Sequence, residues 1–160
     1  VQRKTNTIIG DYCHVAASDP ALDQEAEGFE DLYRRSVETG DLSLLPRKEG
    51  AEPVVWRFRH LSAAEGAWLA DEAQSGGSTL LCLNAAALAL VAVEGPKEDD
   101  GRPVKVARRG RPLPGSRPMT FVAVAAEQLD ELVRRDGRLD VTLLAELGSR
   151  VLDELTPRSG

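Results

Sequence analysis

PVVWRFRHLSAAEGAWLAD, residues 53–71, is the stretch on which the fold turns. Val54, Trp56 and Phe58 alternate with Arg57 and Arg59, so a strand here has one apolar face and one wet face. Ser62 followed three residues later by Glu65 is a capping box. Its two side chains satisfy two amide donors that a helix start leaves without partners. The segment therefore reads as a strand passing directly into a helix that runs to about Gln74 and stops at "SGGS". Both tryptophans of a chain with only 4% aromatic residues lie here. Trp56 and Trp68 are read as core, because each ring buries a large apolar area. For Trp68 the alternative is an exposed anchor for a partner.

C-terminal to this stretch, residues 79–93 are apolar nearly all round, with Leu80, Leu81, Leu83, Leu88, Leu90 and Val91. They predict a second helix that is central or part of a subunit interface. Residues 94–118, EGPKEDDGRPVKVARRGRPLPGSRP, hold five of the nine prolines and four glycines. Asp100-Gly101 suits the turn of a small hairpin, and the remainder reads as a mobile basic loop over 95–118. Met119–Val124 is a short strand or a helix lead-in. Two helices follow, about Ala126–Arg135 and Val141–Leu155. The second is capped by Asp140 and carries a stripe of Leu143, Leu144, Leu147, Val151, Leu152 and Leu155.

On the N-terminal side the patterning is weaker. Short strands are expected around Thr7–Ile9 and Tyr12–Ala16. "SDPALD" offers a cap with Pro20 at an early helical position. Phe29, Leu32, Tyr33 and Val37 define one face of a short helix ending near Gly40. Residues 45–53, LPRKEGAEP, make a turn-rich connection. The expected fold is α+β, mostly helical with a small sheet or hairpin. Its organisation is an N-terminal arm with an acidic helix (1–52), a main helical domain (53–155) and a tail (156–160). The core should include Trp56, Phe58, Leu83, Leu88, Leu90, Leu147 and Val151.

Composition narrows the function classes. Hydrophobic residues at 42% suffice for a globular core, which must be aliphatic. A net charge of −6 disfavours a dedicated nucleic-acid binder. Two cysteines do not make a disulfide framework, no signal-peptide pattern opens the sequence, and Ala85–Val93 is too short to cross a bilayer. Cys13, His14, His60 and Cys82 are chemically suited to zinc but lack the close spacing that lets one turn present two ligands. No nucleophile elbow or phosphate-cradling glycine pattern is present. The pairs Glu30-Asp31 and Asp99-Asp100 lie in charged surroundings unsuited to pKa tuning. The expectation is a protein that is not an enzyme and has no metal or cofactor.

The sharpest charge feature is the loop. Lys97, Arg102, Lys105, Arg108, Arg109, Arg111 and Arg117 stand against Glu98, Asp99 and Asp100, a local +4 on a molecule whose remainder is −10. The candidate partner-binding residues are Arg102, Lys105, Arg108, Arg109, Arg111 and Arg117, together with Trp68. They suit an acidic protein surface, and the acidic segment 18–41 of a second copy is one such surface. Association should weaken as salt rises, and further when Arg108, Arg109 and Arg111 are changed together to Ser. That change should leave core stability nearly unaltered, because the loop lies outside the core. The bland alternative is a solvated connector. Nucleic acid is the less favoured partner, since no aromatic is interleaved to stack on bases. Seven phosphate contacts would give a log–log salt dependence with a slope of about −6.

Three stretches carry a resemblance: PVVWRFRHLSAAEGAWL; AAALALVAVEG leading to EDDGRPV; and AAEQLDELVRRDGRLDVTLLAELGSRVLDEL. Together, over 53–155, they are similar to small proteins of tailed bacteriophages, in particular tail assembly chaperones and related morphogenesis proteins. The Arg- and Pro-rich insert at 102–118 departs from that pattern. The resemblance implies a helical adaptor without catalytic residues, in the host cytoplasm during assembly, whose partners are other phage structural proteins or itself. The alternative is a structural component of the head–tail or tail region, retained in the virion. A nucleic-acid-binding regulator is a third reading; a membrane partner is not expected.

Overall fold

In the computed structural model the described residues are 11–95, 104, 106–112 and 120–155. The expected strand at Thr7–Ile9, the Asp100-Gly101 turn and the tail at 156–160 lie outside them.

The opening stretch folds as its pattern demands. Strand β2 (Val55–Phe58) buries Trp56 and Phe58. Helix α2 (Ala63–Ser75) starts at a complete capping box: Ser62 Oγ accepts from the Glu65 amide at 3.2 Å, and Glu65 Oε1 accepts from the Ser62 amide at 2.9 Å. On one edge of β2 lies β1 (Tyr12–His14), with His14 opposite Trp56. On the other lies β3 (Leu90–Glu94), with Val93 opposite Trp56, giving an antiparallel sheet of order β1-β2-β3. Arg57, on the wetter face, pairs across the strands with Glu94 at 2.7 Å.

The N-terminal arm forms helix α1 (Phe29–Thr39), which ends at Gly40 in the left-handed conformation that a glycine C-cap supplies. No helix begins at Pro20. Residues 17–28 are mostly turns and bends, because the Asp19 carboxylate accepts from the Ala21 amide at 2.8 Å and from the distant Val54 amide at 2.9 Å. That local capture of the backbone competes with helix. Val15, Leu22 and Leu45 form a small satellite core beneath Phe29 and Tyr33.

The expected helix over 79–93 is corrected. Helix α3 (Ser78–Ala89) stops at Leu90 and the chain continues as β3 with no intervening loop. An apolar run satisfies a buried helix and a buried strand equally; β2 decides between them by offering a ladder to residues 90–94. The carbonyls exposed by this abrupt ending are covered by two guanidinium groups. Arg59 Nε donates to Leu88 O at 3.0 Å, and Arg108 donates to Leu90 O at 2.5 Å and to Leu88 O at 3.3 Å. Cations at a helix C-terminus also suit its dipole.

The mobile-loop reading of 95–118 is corrected in part. Arg108–Pro112 is strand β4, paired antiparallel with β5 (Thr120–Val124). The alternation of Phe121 and Ala123 toward the core gives β5 a buried face on which β4 can register.

Helix α4 (Ala126–Leu132) is shorter than expected. Residues 134–139 instead form a hairpin of β6 (Arg134–Arg135) and β7 (Arg138–Leu139). Its turn residues Asp136 and Gly137 have φ of 55° and 76°, the positive values that a two-residue Asp-Gly turn requires.

Helix α5 (Val141–Leu155) has its expected bounds, and the Asp140 carboxylate accepts from the Leu143 amide at 3.0 Å. Its stripe packs on α3, burying Leu144, Leu147 and Val151. The two helices approach closely at Gly148, which lies directly against Cys82. Of the expected core, Leu83 is only half-buried; the other six are buried. The architecture is a small α+β domain.

Candidate interaction site between helices α1 and α5

The sequence-predicted partner residues do not gather into one site. Arg102, Lys105 and Arg117 lie outside the described residues. Arg111 is opposite Phe121 in the β4–β5 ladder, and Arg109 is exposed. Arg108 turns inward. Its contacts with the Leu88 and Leu90 carbonyls make it part of the frame, so the expectation that its loss leaves the core untouched is corrected. Burial, and next to it the Arg59 cation, push its pKa below the ordinary guanidinium value. Arg59 is balanced by a two-pronged contact with Glu65, at 3.0 and 2.5 Å. Trp68 is half-buried rather than an exposed anchor, with its ring 5.1 Å from that of Phe121.

The residues suited to a metal are likewise dispersed. Cys13 stands opposite Arg57, and the His60 ring packs 5.0 Å from Tyr12. Cys82 lies under α5, where burial raises its thiol pKa. Among the described residues no three metal-capable side chains converge.

The structure does assemble a site that the sequence reading missed. Between α1 and α5 runs a groove of about 790 Å³. Its apolar wall includes Val37, Val141 and Ala145, and its floor holds His14, Tyr33, Glu146 and Arg150. These come from three separated places. Strand β1 delivers His14, whose pairing with Trp56 sets its direction. The α1 face delivers Tyr33, and one turn of α5 delivers Glu146 and Arg150.

Glu146 is the hub. It accepts from the Ala17 amide at 2.7 Å and from Ser18 Oγ at 3.4 Å, and His14 Nε2 lies 3.4 Å from it. Burial pushes the Glu146 carboxyl pKa up, but the hydrogen bonds from His14 and the Ala17 amide outweigh burial and hold it below its ordinary value. It is thus an anion committed to pinning the turn after β1 onto α5.

Tyr33 donates its hydroxyl to Val15 O at 2.6 Å; burial first, and Glu146 second, raise its pKa. Arg150 is buried, packs over the Tyr12 ring at 5.1 Å and pairs with Glu154 at 3.2 Å. One signal for this cluster was present in the sequence: Glu146 and Arg150 stand four apart on the flank of an apolar stripe, where charged residues become half-buried and need partners.

Comparison with protein-family models, with curated proteins and with solved structures finds no match.

Proposed function

We propose that this chain is a non-catalytic interaction protein of phage tail or virion morphogenesis, of the tail-assembly-chaperone kind, and that the α1–α5 groove receives an apolar segment of a structural subunit. One observation carries the reading. Glu146 and Tyr33 spend their hydrogen bonds on the chain itself. Although His14 Nδ1 and Arg150 Nε have no hydrogen-bond partner among the described residues, both are buried, so the apolar wall, with Val141 51% exposed, is the surface offered to a partner. Such a wall, with a floor held rigid by hydrogen bonds, suits a helix-in-groove contact. The resemblance over 53–155 supplies the biological setting. The use of Arg108 as an internal cap removes one cation from the nucleic-acid reading.

Calorimetric titration against each structural protein encoded by the neighbouring genes tests the proposal. Binding to one of them, weakened at least tenfold by Val141→Asp, is expected. Binding to none, or equal binding by the variant, refutes it. Mass spectrometry of purified particles then separates the two roles: a chaperone is absent from the finished virion, and a structural component is present in fixed ratio.

A further inference from the structure

The β6–β7 hairpin takes no part in the groove, yet it is built with some care. Its turn places a non-glycine residue, Asp136, at φ 55°, and its register sets Arg135 directly opposite Arg138. Like charges directly opposite across strands are destabilising. Arg134, beside them, is neutralised by Asp130 at 2.9 Å. Arg135 reaches Asp140 only at 3.9 Å, and Arg138 has no ion pair among the described residues. Next to Arg138, Leu139 is 38% exposed, one of the four exposed large apolar side chains among the described residues. The hairpin therefore carries three arginines against one carboxylate, Asp136, beside an exposed leucine, and is basic on a molecule of net charge −6.

Its complement is present on the same chain. Glu25, Glu27 and Glu30 are exposed around the entry to α1 and make no ion pair among the described residues, whereas Asp31 is taken by Arg34. Ala26 and Phe29, half-buried between them, add apolar surface.

We propose that the β6–β7 hairpin of one copy docks on the Glu25–Glu30 surface of a second copy. Because the two patches differ, the contact is head-to-tail, and repetition closes a ring or extends a filament. The argument is charge complementarity between two oppositely charged surfaces, each with adjoining apolar area. It goes beyond the groove reading and does not depend on it: a subunit that fails to bind in the groove leaves this contact untouched.

Sedimentation velocity of the full chain at low and high ionic strength decides the matter, with Arg135→Glu/Arg138→Glu and Glu27→Arg/Glu30→Arg as reversed variants. Wild type should associate at low salt and dissociate as salt rises. Each reversed variant alone should be monomeric. Their equimolar mixture should associate again, because each reversed patch then meets its complement. A wild type monomeric at every salt concentration overturns the proposal, as does a variant that associates like wild type or a mixture that stays monomeric. Should circular dichroism show either reversal to be unfolded, the Gln replacements at the same four positions serve instead. Weakened association supports the contact, and unchanged association overturns it.

Discussion

Replacing Gly148 by alanine puts the α3–α5 packing to a direct test. A methyl group there would lie 2.4 Å from Cys82 Cβ, 2.5 Å from Cys82 Cα and 2.8 Å from Cys82 Sγ. Carbon atoms rest at about 3.7 Å, so the closest contact is short by about 1.3 Å. The obstructing Cα is backbone and cannot rotate aside, so the helices must separate along the seam that holds Leu144, Leu147 and Val151. This falls at the upper end of the usual overpacking range, about 3 kcal/mol. Alanine recovers about 1 kcal/mol of helix propensity. The net loss is about 2 kcal/mol, or roughly 4–8 °C in Tm for a chain of this size.

Gly66→Ala is the matched control. Its methyl would meet only Leu155 Cδ2, at 3.5 Å, an ordinary contact, so propensity alone should stabilise by up to about 1 kcal/mol. Urea denaturation followed by circular dichroism measures both. A Gly148→Ala variant as stable as Gly66→Ala, or more so, would refute the close approach of α3 and α5.

Three further outcomes follow from named contacts. Arg108→Ser should cost about 1–3 kcal/mol by stranding buried carbonyls at the end of α3, whereas Arg109→Ser should stay within about 0.5 kcal/mol; equal thermal shifts would mean that Arg108 does not cap the helix. Ser62→Ala should lose about 1 kcal/mol with the capping box, seen as a lower denaturation midpoint, and an unchanged midpoint would contradict that role. Because the folded pKa of Glu146 is lowered from the ordinary 4.5, its stabilisation is present above about pH 4.5 and lost as pH falls through the folded value; the Tm advantage of wild type over Glu146→Gln should therefore shrink in acid, and a constant gap from pH 7 to about 3 would contradict it.

The elements legible in the sequence are those whose signals lie within a few residues of each other. Ser62 and Glu65 are one turn apart, Gly40 immediately follows its helix, and the bounds of α5 are marked by Asp140 and an unbroken apolar stripe. The Asp136-Gly137 turn was equally local. It was hidden by the helical spacing of Leu129, Leu132 and Val133, which carried the expected helix α4 through to Arg135.

What only the tertiary structure decided are the matters on which the local pattern is neutral. An apolar run from Ala85 to Val93 serves helix or strand alike, and its division at Leu90 depends on β2, more than thirty residues earlier. The same holds for Arg108, whose sequence neighbours mark it as a solvated cation while the stranded carbonyls of Leu88 and Leu90 draw it inward. It holds again for Glu146, whose partners Ala17 and His14 lie at the opposite end of the chain. Hydrogen-bond satisfaction and close packing are settled between groups that only the folded backbone brings within reach.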